Sequence, residues 1–210
     1  MSGLLDLLNS PMGQQVISGV AGQTGQSADK TANVLGMAMP LILGAMQRNA
    51  SSPEGAQGLM NALSNKHDGS ILDNLGGLFQ GGVNDDVVQD GAGILGHVFG
   101  NSQSQVENAL SQKSGVDAGS IANILKIAAP IIMGVLGRQR AQDNVSDPNG
   151  LNGLLGSMLG GKPQQNQSLF EKLLDADGDG SVLDDVAGMV MGSGKKSGGL
   201  GGLLGGLFGK

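Results

Sequence analysis

The most apolar stretch of the chain occurs twice, ninety positions apart. Residues 32–44 read ANVLGMAMPLILG, and residues 122–134 read ANILKIAAPIIMG. Both copies are apolar on nearly every side of a helix, so each predicts a central helix that other helices surround. Pro40 and Pro130 remove one backbone donor in the middle of these helices, and a kink or a break is therefore expected at each.

The ninety-residue register extends without gaps over the first part of each copy. Gly3 matches Gly93 at its start, and Arg48 matches Arg138 at its end. Both arginines are expected at the C-terminal end of a central helix, where a positive charge suits the helix dipole. The chain is therefore an internal duplication, which favours two similar halves.

A shorter helix is expected before each central helix. Apolar spacing predicts helices over residues 14–20 and 105–110, and a turn rich in Gly and Ser follows each. The segments 27–29 and 117–120 then supply the N-cap residues with which the central helices begin.

The predicted fold class is all-α, because no stretch shows the sustained alternation of a half-buried strand. We predict two tandem, similar small-helix modules, residues 1–90 and 91–192, each built around its Pro-containing core helix. Residues 193–210 form a separate Gly-rich C-terminal tail.

Composition narrows the classes of function. The formal net charge is −6 and only 14% of residues are charged, so no Lys/Arg stripe is present to neutralise phosphates, and nucleic-acid binding is not expected. The chain has no Cys, which excludes disulfides and thiolate metal sites. With 39 Gly and only four aromatic residues, all Phe, the core is aliphatic and its stability is expected to be modest.

The N-terminal residues predict a cytoplasmic location. They lack the positive region and the cleavage pattern of a secretory signal, which leaves export by a signal-independent route as the alternative. The longest apolar runs, 34–46 and 127–136, are shorter than the roughly 18–20 residues that span a bilayer, so both are interpreted as buried core helices.

The strongest chemical signal is an Asp-rich loop in the second half. The sequence DADGDG at residues 175–180 fits the first six positions of a calcium loop, in which alternate carboxylates converge on one cation. The predicted Ca²⁺ ligands are Asp175, Asp177, Asp179, Ser181 through its carbonyl, and Asp184 or Asp185. Position twelve is Val186 where a bidentate Glu is usual, so a weak site is expected.

An alternative for this loop is an Asx-type turn before a Ser-capped helix, with no ion bound. The first half carries the same helix start, DGSILD at residues 68–73, after Ser64 and Lys66 in two of the ligand places. The first-half loop is therefore expected to bind no cation.

Catalytic patterns are absent. The two histidines are His67, in a turn before a helix, and His97, on a short helix, and both settings are typical of structural or solvated histidines. Neither a nucleophile elbow nor a His-Glu-x-x-His zinc pattern is present. We therefore expect no enzymatic activity.

The tail suggests a second mode of action. Leu and Phe recur at helical spacing over residues 200–208, and Gly198, Gly202 and Gly206 lie four apart, which permits close helix approach. Such a tail would fold against a membrane surface or a second copy of the chain, since helical Gly is unfavourable alone in water.

The chain resembles a bacterial family of unknown function, domain-of-unknown-function family 937, within the YidB-like helical superfamily. The resemblance rests on the Ala-x-Pro-x-Ile-x-Gly core helix, the Gly-rich middle, the Asp-Gly-Asp-Gly-Ser loop at 177–181 and the Gly/Leu tail. It implies a helical fold and a bacterial origin, and it implies no activity.

The leading hypothesis is a non-enzymatic interaction or structural protein with a weak calcium site in its second half. The alternative is a membrane-active or self-associating protein that acts through its tail. The expected partner is an unidentified protein or a second copy of the chain.

Overall fold

The computed structural model describes residues 8–159, and all of the regular structure in this part is helical. The α-helices are α1 (Pro11–Thr24), α2 (Ala28–Asn49), α3 (Pro53–Asn65), α4 (Leu75–Phe79), α5 (Asp85–Phe99), α6 (Gln103–Ser114), α7 (Ala118–Gln142) and α8 (Pro148–Met158). Two short 3-10 helices cover Ser70–Asn74 and Gly100–Ser102. The all-α prediction is confirmed for this part of the chain.

The two central helices begin in the same way. Ser27 and Asp117 have extended backbones, and their side chains accept hydrogen bonds from the N–H groups of Lys30 and Ser120, which confirms the predicted N-caps. Before them, α1 and α6 both end at a left-handed glycine, Gly25 with φ 67° and Gly115 with φ 68°. The repeat in the sequence is thus also a repeat of backbone conformation.

Helices α2 and α7 form the centre of the molecule and pack against each other. Their buried side chains include Leu35, Ile42, Leu43, Ile124, Leu125 and Leu136, and no more than 2% of each is exposed. Fully burying one such side chain contributes about 1.5–3 kcal/mol. The central helices are therefore surrounded, as predicted.

Of the two outcomes expected at the prolines, a kink or a break, the break is wrong. Pro40 lies inside α2 and Pro130 inside α7, and both helices continue beyond them. An interior Pro costs about 3 kcal/mol because it removes one helical hydrogen bond and crowds the preceding turn. The extensive burial of apolar side chains from both helices offsets that cost.

The described halves share one core. Helix α3 packs against α7, and its counterpart α8 packs against α2, so each half contributes a helix to the other. The predicted boundary between the modules, after residue 90, lies inside helix α5. This helix makes its most extensive contact with α7. The division into modules remains a prediction about the repeat.

One helix of the described part, α7, is long and apolar enough to cross a membrane by length and composition. Its most apolar window has a mean hydropathy of 1.7, but 67% of that window is buried inside the protein. Its position therefore agrees with the interpretation of the repeated segment as a core helix.

Candidate functional site

A groove of about 1300 Å³ opens between α3 and α5. Its walls are these two helices, and its floor is formed by α7 and the C-terminal end of α2. Both histidines of the chain line it, together with several charged side chains. This α3–α5 groove is a concave surface on the described part of the chain that is large enough to bind a ligand.

The lower part of the groove is apolar. Met46, Val98, Pro130 and Met133 are buried beneath it. The walls carry half-buried apolar side chains, namely Leu59, Ala62, Ile71, Val87 and Ile94. A ligand seated here would exclude water from apolar surface, which is the main source of binding free energy in such grooves.

His67 is fixed at the end of α3, where the helix turns towards α7. The backbone N–H groups of Lys66 and His67 both donate to the Ala62 carbonyl, at 3.0 and 2.9 Å. The His67 carbonyl packs directly on Gly137 of α7, and a Cβ atom there would lie 2.9 Å from the carbonyl carbon. Only 6% of His67 is exposed, so the backbone holds its ring inside the groove wall.

Asp90 of α5 connects the two walls. Its Oδ1 accepts from Lys66 Nζ at 2.5 Å, and its Oδ2 lies 3.7 Å from His67 Nε2. Burial lowers the pKa of His67, and the positive charge of Lys66 acts in the same direction, while Asp90 and Asp68 oppose the change. His67 is therefore neutral at pH 7, and the Lys66–Asp90 pair supplies the charge contact across the groove.

His67 should make the protein less stable in mild acid. Because its pKa is lowered by folding, the unfolded chain binds a proton first as the pH falls through the ordinary value of 6.5. The free energy of unfolding should decrease from pH 7 towards pH 5.5, and His67→Gln should remove part of that decrease. Chemical denaturation at a series of pH values measures it.

The matched control is His97→Gln, which removes the other histidine from an exposed position on α5. It should keep the loss of stability in acid that His67→Gln removes, because it leaves the buried His67 in place. The explanation fails if His67→Gln and the wild type lose stability equally between pH 7 and pH 5.5.

His97 marks the far end of the groove. Its Nδ1 donates to the Gly93 carbonyl at 2.8 Å. Asn49 Nδ2 donates to the carbonyls of His97 and Val98, at 2.9 and 3.2 Å, and so ties the end of α2 to α5. In the part of the chain that the structure describes, no three His, Asp or Glu side chains are grouped to hold a metal ion.

The predicted calcium ligands Asp175, Asp177, Asp179, Ser181, Asp184 and Asp185 lie outside the described residues, as does the tail. The structure describes only the corresponding helix start of the first half. There Ser64 bonds to the Met60 carbonyl at 2.7 Å, and Lys66 is paired with Asp90. The calcium site therefore remains a prediction.

The helix start at residues 68–73 differs in one detail from the Ser-capped start that its sequence predicts. Ser70 begins a 3-10 helix without a side-chain cap, and the capping group is Asp68, whose Oδ1 accepts from the Ser70 N–H at 3.0 Å. Hydrogen bonds from the backbone and the side chain of Ser70 lower the pKa of the Asp68 carboxyl group. The Ser-capped helix start that this segment predicts is therefore wrong in the first half, where Gly69, with φ 105°, precedes the 3-10 helix.

No pattern in the sequence indicates this groove. Lys66 and Asp90 are 24 residues apart and fit no motif, and the turn in which His67 lies is typical of a solvated histidine. Arg138 also makes contacts that no sequence pattern indicates. Its Nη2 donates to the Gly69 carbonyl at 2.8 Å and to the Asp73 carboxylate. A helix-dipole role alone does not predict these partners.

Comparison with known proteins identifies one family. A family model described as "Bacterial protein of unknown function (DUF937)" matches residues 6–139 and 141–210. No curated protein matches the chain, and no solved structure matches it.

Proposed function

We propose that this chain, which belongs to the bacterial DUF937 family of proteins of unknown function, is a non-enzymatic interaction protein. Its α3–α5 groove would bind an amphipathic helix of a partner protein. The observation that carries this proposal is the open groove itself, with its apolar floor and charged rim.

The dimensions of the groove suit a helix. Helix α3 has 13 residues and α5 has 15, so at 1.5 Å per residue the walls are roughly 20 Å long, the length of about four helical turns. The volume of about 1300 Å³ exceeds the usual range of about 300–1,000 Å³ for small-molecule pockets. Helix-in-groove recognition places apolar side chains at successive turns into such a surface.

The rim favours a partner with basic residues beside its apolar stripe. Glu54 and Asp86 are exposed at the rim, and the charge of Asp90 is matched by Lys66. Arg48 also lines the groove, so acidic side chains outnumber Lys and Arg there by one. The formal net charge of −6 would steer such a partner towards the protein. In this proposal the Lys66–Asp90–His67 group has a structural role, since it holds the two walls together.

A 14-residue amphipathic Leu/Lys peptide is a suitable probe, and isothermal titration calorimetry measures its binding. Ile94→Gln removes an apolar side chain from the groove wall and should weaken the peptide about tenfold, the equivalent of about 1.4 kcal/mol. Val83→Gln is the matched control, because Val83 is also apolar and half-buried but does not line the groove.

Equal affinities for the wild type and Ile94→Gln would overturn the proposal. A chain that lacks residues 193–210 provides a further comparison. If its peptide affinity rises clearly above that of the full chain, the tail and not a partner helix is the natural occupant of the groove.

The weak calcium site is the second part of this proposal. Three carboxylates at the spacing of Asp175, Asp177 and Asp179 repel one another unless a cation lies between them. Without the bidentate Glu, the affinity should fall in the weak range of about 10⁻⁴–10⁻³ M.

Calorimetry with millimolar calcium should give one ion per chain, and Asp177→Ala should abolish the heat of binding. Ser64→Ala, in the corresponding first-half loop, is the control and should bind as the wild type does. Calcium-dependent heat that persists unchanged in Asp177→Ala would exclude the predicted site.

A further inference from the structure

The wall that α5 contributes to the α3–α5 groove carries one charge among apolar residues. Its lining residues that are not exposed lie three or four positions apart and so form one inner stripe of the helix, namely Val87, Asp90, Ile94 and Val98. Only 19% of the Asp90 side chain is exposed, whereas Asp86 of the same wall is open to solvent at the rim. A helix seated in the groove would therefore cover the Asp90 carboxylate together with its apolar neighbours.

Only one of the two Asp90 carboxylate oxygens has a hydrogen-bond partner in the described part of the chain. Oδ1 accepts from Lys66 Nζ at 2.5 Å. Oδ2 accepts no hydrogen bond from residues 8–159, and His67 Nε2, at 3.7 Å, is too distant to donate one. The His67 ring also makes no hydrogen bond within these residues, although only 6% of His67 is exposed. The groove wall thus holds a carboxylate oxygen and an imidazole that a ligand can bond.

The charges around His67 favour one more cation. Besides burial, the pKa of His67 responds to Asp90, Lys66 and Asp68, so these three charges lie near the ring. Two of them are negative and one is positive, and the neutral imidazole adds none. This part of the groove is therefore negative in sum, and a positive group of a ligand would be attracted to it.

An entirely apolar helix would fit this wall poorly. It would remove Asp90 Oδ2 from water without supplying a hydrogen-bond donor, and such burial of a charged group is unfavourable. A Lys or Arg side chain at this point would donate a charge-assisted hydrogen bond to Oδ2. Its aliphatic stem would pack against Val87 and Ile94, which lie on either side of Asp90 in the stripe.

We propose that Asp90 determines which helices the groove binds. It selects a helix that carries one Lys or Arg within its apolar face, and that side chain donates to Asp90 Oδ2. This inference rests on the proposed function and adds a requirement to it. The basic residues that Glu54 and Asp86 favour lie beside the apolar stripe of the partner, whereas the residue that Asp90 selects lies inside it.

Lys66 opposes this selection. Its ammonium group lies on the same carboxylate and repels a second cation, but 65% of its side chain is exposed, so it can turn into water when a partner binds. Lys66→Met removes the competing charge and should strengthen the selection of a basic residue. If the Lys66–Asp90 pair served only to hold the walls together, Lys66→Met and Asp90→Asn would instead act alike.

Two 14-residue Leu/Lys peptides test the inference. They differ at one central position of the apolar face, which is Lys in one peptide and Met in the other, and isothermal titration calorimetry on the full chain at pH 7.5 gives the ratio of their affinities. The wild type should prefer the Lys peptide about tenfold, near the lower end of what a hydrogen bond to a charged group contributes. Asp90→Asn should abolish this preference, and Lys66→Met should increase it. Asp86→Asn is the matched control, because it removes an exposed carboxylate from the same helix and should keep the preference.

Equal affinities of the wild type for the two peptides would overturn the inference, and so would a preference that persists in Asp90→Asn or disappears in Lys66→Met. Helix binding by the groove would still stand in each of these cases. If neither peptide binds the wild type, the proposed function fails and the inference fails with it. A variant that is only less stable lowers both affinities together and leaves their ratio unchanged, so it cannot imitate a loss of selection.

Discussion

Replacing Gly91 by Ala should destabilise the protein by about 3 kcal/mol or more, a large effect for the addition of one methyl group. Gly91 lies on α5 where that helix meets α7, and a Cβ atom there would lie 2.6 Å from the carbonyl carbon of Lys126 and would overlap its oxygen. These are backbone atoms, so no side-chain rotation can relieve the clash. Denaturant unfolding followed by circular dichroism measures the loss.

The same contact explains part of how α7 tolerates its proline. Lys126 is four residues before Pro130, so its carbonyl is the one that loses its helical N–H donor. Gly91 brings the backbone of α5 against this carbonyl, where a Cα–H group can approach it. Ala at position 91 would move α5 away from α7. The Lys126 carbonyl, which lacks its helical N–H donor, would then lose this contact.

Gly96→Ala is the matched control on the same helix. No atom of residues 8–159 lies within 4 Å of a Cβ built on Gly96, and Ala is favoured over Gly in a helix by up to about 1 kcal/mol. This variant should be as stable as the wild type or more stable. If both variants behave alike, helix propensity and not close approach governs position 91.

The contrast between Gly91 and Gly96 shows which features of the fold can be predicted from the sequence and which cannot. Repetition and capping chemistry are local, so the central helices and the caps at Ser27 and Asp117 could be predicted from a few neighbouring residues. A close approach such as that of Gly91 to Lys126 depends on how distant segments pack. Gly91 and Gly96 look equivalent in the sequence, and only the position of α7 distinguishes them.

The α3–α5 groove could not be predicted for the same reason. Its polar wall depends on Lys66, His67 and Asp90, which come together because α3 ends where its last carbonyls and Gly137 fix the turn. None of these residues belongs to a pattern that indicates a site. The calcium site of the Asp-rich loop, by contrast, can be predicted from the sequence, because calcium loops impose a regular spacing on their ligands, and it stays a prediction.

The repeat predicts two similar halves, and the structure shows that each half packs one helix against the central helix of the other. Each half was expected to surround its own Pro-containing helix, but α3 packs against the central helix of the other half, and α8 does the same in return. This exchange means that neither half buries its central helix with its own residues alone. The two halves should therefore fold and unfold together.

Two equivalent core substitutions test this cooperation. Leu35 on α2 and Leu125 on α7 occupy the same position of the repeat, and each is buried, with exposures of 2% and 0%. Leu35→Ala and Leu125→Ala should each destabilise the protein by about 2–5 kcal/mol, because each removes buried contacts and leaves a cavity. Because the halves share one core, each variant should lower the midpoint of one common transition. Calorimetry distinguishes this result from its opposite, in which each variant shifts only one of two separate transitions and the halves are independent domains.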